Sequence, residues 1–84
     1  MNVREEIINL LCEKLGFEPI EITEDKDIVN DLGADSLDMV EVVMGIEEKY
    51  GIKIDDREVD GIKTVGDLIE RVEELVKNMW FSGR

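Results

Sequence analysis

The chain has 84 residues, with 22 Asp and Glu against 10 Lys and Arg and no histidine, which gives a formal net charge of −12. So negative a surface repels the phosphates of nucleic acids and anionic membranes, and it favours basic protein partners reached by electrostatic steering. The length fits one domain, and with aromatics at 5% of residues its small core must be mostly aliphatic.

From Asn2 to Leu15, apolar residues at Val3, Ile7, Leu10, Leu11 and Leu15 have helical spacing. Asn2 with Glu5 resembles a capping box, and Gly16 suits the position just after a helix end. Cys12 is the only cysteine, so no internal disulfide can form, and its place in the helical pattern reads as a partly buried small residue. Apolar and charged residues alternate from the start, without a secretory apolar region. No apolar run approaches the ~20 residues that span a bilayer. A cytoplasmic monomer is the expectation.

Gly16 to Asp35 contains the one proline, Pro19, and shows no persistent strand alternation. It reads as a long loop with at most a turn near Glu24 to Val29, and loops this long are often functional. Phe17, Ile20, Ile22, Ile28, Val29 and Leu32 are expected to pin it to the helices.

Ser36 to Tyr50 reads as a second helix ended by Gly51, with Asp35 or Ser36 as N-cap and Asp38 in the dipole-favoured first turn. Gly45 in its interior should cost about 1 kcal/mol relative to alanine. Met39, Val42, Val43, Ile46 and Tyr50 fall on one side as a core stripe. Leu37 and Met44 lie nearly opposite, sharing the outer face with Glu41 and Glu48, with Val40 and Glu47 towards one edge and Asp38 towards the other. Single exposed apolar residues are ordinary. Together these make an apolar strip edged with carboxylates, which suits docking.

Between Ile52 and Ile62, Asp55 or Asp56 can cap a brief helix through Val59, stopped by Gly61. Thr64 then caps a last helix with the stripe Val65, Leu68, Ile69, Val72, Leu75 and Val76. Met79 continues that stripe and Phe81 does not. The expected fold is all-α: a mostly antiparallel four-helix bundle with a short third helix and a long loop between the first and second. Residues 1–78 form the domain and 79–84 a tail.

Ser36 is poorly equipped as a nucleophile. No histidine, Ser-x-x-Lys or Gly-x-Ser-x-Gly supplies a base, and the neighbouring carboxylates would repel an oxyanion. Carboxylates at exposed helical spacing read as solvated faces rather than acid–base pairs. One cysteine without histidine excludes the usual zinc sites. Asp56 to Asp67 approaches the spacing of a calcium loop but departs from it at Glu58 and at Asp67 itself, leaving weak, diffuse divalent binding as the expectation. As an attachment point Ser36 is better placed. A phosphodiester there would sit at a helix N-terminus, where amides and dipole favour an anion, and Gly33 and Ala34 keep the approach uncluttered.

Gly33-Ala34-Asp35-Ser36-Leu37-Asp38 resembles the prosthetic-group site of acyl carrier proteins of the bacterial, dissociated fatty acid synthase. Asp31-Leu32, Val40-Glu41, Val43-Met44, Glu47-Glu48, Ile54, Ile62 and Thr64-Val65 extend the resemblance over roughly Val3 to Val76. It implies a carrier that is not an enzyme. A separate Mg²⁺-dependent phosphopantetheinyl transferase would attach 4′-phosphopantetheine from coenzyme A to Ser36. The arm's thiol would bear the growing acyl chain as a thioester and present it to synthase enzymes with basic docking patches. Asp35, Leu37, Asp38, Glu41, Met44, Glu47 and Glu48 match the family's partner-recognition positions. Ile7, Ile28, Val29, Met39, Val43, Ile46, Val59 and Ile62 fall where the family lines an expandable acyl pocket. Gly45, Asp55 and Val59 depart from the residues more usual there, and the 79–84 tail lies outside the pattern. Two other readings are a carrier of the same fold in a polyketide or other specialised pathway, and a small calcium-responsive regulator. The Gly-Gly-x-Ser more frequent in aminoacyl carriers of peptide synthetases is absent.

Overall fold

The computed structural model describes the backbone of residues 2–82 and the side chains of residues 2–79. Four α-helices follow in order: α1 (Val3–Leu15), α2 (Ser36–Tyr50), α3 (Asp56–Asp60) and α4 (Val65–Ser82), with no strand among the described residues. This is the all-α bundle with a short third helix that the sequence implies. None of these helices is long and apolar enough to cross a membrane.

The helix ends follow from local chemistry. Asn2 accepts the Glu5 N–H at 3.1 Å to start α1, and Gly16, at φ 82°, donates to the Cys12 carbonyl to end it. Thr64 Oγ1 accepts the Asp67 N–H at 3.0 Å, and Asp67 Oδ2 accepts the Thr64 N–H at 3.1 Å, a reciprocal box that opens α4. These amides, Thr64 first and then Lys63, hold the Asp67 carboxyl below its usual range. Asp55, rather than Asp56, caps α3 by accepting the Arg57 N–H.

α1 packs against both α2 and α4. Its buried arc is therefore wider than one stripe, and Ile8 joins Ile7 and Leu11 inside, beyond the expected positions. α2 buries the expected five, Met39, Val42, Val43, Ile46 and Tyr50. A Cβ at Gly45 would stand 3.3 Å from both terminal carbons of Leu10, so the glycine lets α1 and α2 approach closely there. On α4 the stripe Val65, Leu68, Ile69, Val72 and Val76 is buried, and Leu75 is half-buried. Met79, expected to extend the stripe, is exposed, because the 18 residues of α4 outlast the 13 of α1 and 15 of α2. The helix itself continues through much of the 79–84 segment. The Phe81 side chain and residues 83–84 lie outside the described residues.

The long loop is more ordered than its sequence suggests. A 3-10 turn at Pro19–Glu21 is capped by Glu18, whose N–H donates to Glu21 Oε1 at 2.8 Å. Asp27 Oδ1 then accepts the N–H groups of Val29 and Asn30, and Asp31 Oδ2 accepts that of Asp27, folding 27–31 into a turn. Backbone bonds stitch this loop to the start of α4: Ile28 N–H to Lys63 O, Val65 N–H to Lys26 O and Gly66 N–H to Glu24 O, at 2.9 to 3.0 Å. This stitching selects Ile22, Ile28 and Leu32 as buried anchors and leaves Ile20 and Val29 exposed, against the expectation that all the loop's apolar residues pin it.

Two consequences are measurable. The excess of acids repels itself in the folded state, so raising NaCl from low to moderate concentration, or adding Mg²⁺, is expected to raise the melting temperature, and a fall would contradict this. Tyr50, the only tyrosine, is buried and donates its hydroxyl to Glu6. Burial first, then the hydrogen bond to and the charge of Glu6, raises its phenol well above the ordinary 10.0. The unfolded chain therefore loses this proton first. The stability is intact below pH 10 and is lost as pH rises from there towards the folded value. Tyrosinate absorbance should appear only as the chain unfolds in alkali, whereas a titration near pH 10 with the helices intact would contradict the buried bond.

Candidate functional site

The turn that precedes α2 is built to present one residue. Gly33 takes φ 73°, a left-handed conformation that glycine adopts without strain. Ala34 is buried, and its N–H donates to Ile28 O at 3.1 Å, which locks the loop onto the core one step before the helix. Asp35 is the N-cap: its Oδ1 accepts the Asp38 N–H at 2.8 Å, and Asp38 Oδ2 accepts the Asp35 N–H at 3.1 Å. The sequence allowed either Asp35 or Ser36 to cap. Because Asp35 does so, Ser36 becomes the first helical residue, exposed and with its hydroxyl outside the cap. The Asp35 and Asp38 carboxylates beside it would disfavour an anion, while the helix N-terminus favours one.

Ser36 stands on the wall of a cavity of about 860 Å³ between α2 and α3. From α2 come Ser36, Met39, Val40, Val43, Met44 and Glu47, a single stripe at helical spacing. At about 1.5 Å per residue it runs about 16 Å from the serine to the far end. Val29, Ala34 and Asp35 of the loop, Lys53 and Ile54 beyond α2, and Asp56, Val59 and Asp60 of α3 complete the wall. The cavity is thus apolar along its floor, with charged groups around it.

Of the residues named for an acyl pocket, Val29, Met39, Val43 and Val59 line this cavity. Ile7, Ile28 and Ile46 are sealed in the core behind it, and Ile62 borders a shallower depression of about 420 Å³ on the other side of α3. Val40 and Ile54 are wall residues absent from that set. Val40 sits at helical spacing from Ser36, Val43 and Met44, a signal the sequence did carry.

The outer-face residues divide by what already engages them. Leu37 is 65% exposed and Met44 58%, with Glu41 and Glu48 exposed beside them. Met44 also reaches the cavity wall, so apolar strip and cavity are continuous. Asp35 and Asp38 are held in the cap. Glu47 is half-buried, and its Oε2 accepts the Ile54 N–H at 2.8 Å, tying the end of α2 to the segment before α3. The calcium-loop spacing does not form a loop: Asp56 and Asp60 lie in α3, and the Asp67 carboxylate caps α4. Among the described residues no acidic cluster is arranged to hold a metal ion.

Comparison with known proteins bears on this geometry. The profile of a family described as "Phosphopantetheine attachment site" matches residues 5–72. A protein from Thermotoga maritima named acyl carrier protein is 42% identical over 78 residues, covering 88% of this chain and 96% of its own length. One of the same name from Campylobacter hominis is 44% identical over 78 residues, covering 93% and 99%. A crystal structure of a Thermotoga maritima acyl carrier protein superposes with a TM-score of 0.76 at 28% identity, over 88% of this chain and 86% of that one.

Proposed function

The chain belongs to the acyl carrier proteins, and from that premise we propose that it carries the growing acyl chain of fatty acid synthesis as a thioester on an arm attached to Ser36. Acyl carrier proteins are carriers rather than enzymes, and 4′-phosphopantetheine is the prosthetic group of the family. The observation that carries the assignment to Ser36 is the Asp35–Asp38 box. It fixes the start of α2 without using the serine hydroxyl, and leaves that hydroxyl exposed at one end of the cavity. When bound, the arm supplies a thiol on which acyl groups are held as thioesters.

The cavity suits such an arm in length. With about 14 chain atoms, equivalent to between four and five residues, it extends about 16 Å, close to the α2 stripe from Ser36 to Glu47. Val29, Met39, Val43 and Val59 form the wall that an acyl chain meets first. Ile7, Ile28 and Ile46, sealed behind that wall, form a second layer that yields as the chain lengthens, and Ile62, on the far side of α3, is reached last. These side chains are aliphatic or flexible, which suits a site that must repack.

Partners are the phosphopantetheinyl transferase, which brings coenzyme A and its own catalytic groups, and synthase enzymes with basic patches. They dock on Leu37 and Met44, with Glu41 and Glu48 giving direct ionic contacts. Asp35, Asp38 and Glu47 add to the field while remaining in their internal bonds. The protein works as a cytoplasmic monomer. A reconstituted, dissociated fatty acid synthase lacking its own carrier tests the pathway. The arm-bearing form of this chain should restore acyl elongation. No elongation, with a control carrier active in the same mixture, would assign the chain to a different, specialised pathway.

A further inference from the structure

Little holds α3 in place. None of its five residues is buried, and only Val59 and, just beyond, Ile62 pack half-buried against the core. Open space lies on both sides: the 860 Å³ cavity towards α2 and the 420 Å³ depression towards α4. Arg71 of α4 spans that depression. Its Nε donates to Glu58 Oε1 at 3.1 Å and its Nη2 to Glu58 Oε2 at 2.7 Å, and its Nη1 donates to Glu74 on its own helix. This fork fixes orientation as well as distance, and Glu74 braces the guanidinium from behind. The same guanidinium holds the Glu58 carboxyl below its usual range.

A cavity walled by Val59 on one side and Met39 and Val43 on the other fills with water when it holds no cargo, and these side chains then lack apolar contacts across it. Sliding α3 towards α2 would recover them, and Arg71 pulls the opposite way. We propose that Arg71 is a positioning residue for the cavity: by tethering Glu58 to α4, it keeps α3 off α2 and so sets the room available to cargo. Cavity size is then governed from a helix that contributes no wall residue of its own. The cargo half of this inference rests on the carrier reading, whereas the tether does not.

Methyl NMR on the unmodified chain tests the tether, using Arg71→Met, which keeps the apolar stem, and Glu58→Gln. In both variants the closed arrangement, read from Val59 methyl contacts to Val43 and Met39, should gain about fivefold in population, the scale of one partly exposed ion pair. Moderate salt should move the native chain the same way, because the paired side chains are 33% and 29% exposed. Unchanged Val59 contacts in both variants would overturn the tether. So would an equal disturbance of contacts throughout the Leu11 and Val72 core, which marks a merely structural role. In arm-bearing protein loaded with acyl groups of increasing length, Arg71→Met should lose protection of the thioester from hydroxylamine at a shorter chain than the native protein. Equal limits would overturn the link to cargo. Failure to load any arm would instead contradict the carrier reading, with the methyl result still deciding the tether.

Discussion

Leu68→Ala is expected to destabilise the protein by about 2–5 kcal/mol, read as a lowered urea midpoint at unchanged slope. Leu68 is fully buried on α4 and lies in the same core cluster as Ile7, Leu11, Ile46 and Val72. Truncation removes the transfer free energy of the lost carbons and leaves a void that close-packed neighbours fill only in part. An 84-residue domain has on the order of 4–13 kcal/mol in total, so this one change removes a large share. Glu73→Ala, one turn on and exposed, should move the midpoint little. A loss below about 1 kcal/mol at Leu68 would mean that α4 does not pack as described.

Asp35→Ala is expected to cost about 0.5–2 kcal/mol, because it removes the side-chain oxygen that accepts the Asp38 N–H and leaves that donor unpaired, while the backbone N–H of residue 35 can still donate to the Asp38 carboxylate. The effect should concentrate at the start of α2, with faster hydrogen exchange at Asp38 and Met39 and little change in α4. Asp35→Asn keeps the cap and removes the charge, so it should recover most of the stability. If Asp35→Asn were as unstable as Asp35→Ala, charge rather than the cap would be the source of the effect.

These two positions illustrate what the sequence could and could not convey. Helix faces were legible: the five buried residues of α2 follow directly from their spacing, as does nearly the whole stripe of α4. Caps were legible as chemistry but not as a choice between neighbours. Asp35 or Ser36, and Asp55 or Asp56, satisfy the same preference, and only the path of the preceding chain selects one. Ile8 was missed because a face buried against two helices is wider than one periodic stripe. The loop's order depends on bonds to the start of α4, more than 30 residues away, which no local pattern encodes. The cavity was least legible. Periodicity says which way a side chain faces, not how far the next element stands, so Met39 and Ile46 look alike in sequence although one lines the cavity and the other is sealed. The Arg71–Glu58 fork has the same character, joining residues 13 apart on different helices.

Intact-mass measurement bears most directly on the role of Ser36. Incubated with coenzyme A, Mg²⁺ and a phosphopantetheinyl transferase, the chain should gain the mass of one 4′-phosphopantetheine, mapped to the peptide containing Ser36, and Ser36→Ala should gain none while remaining helical. No added mass while a control carrier is modified by the same transferase, or an arm that persists in Ser36→Ala, would contradict the account.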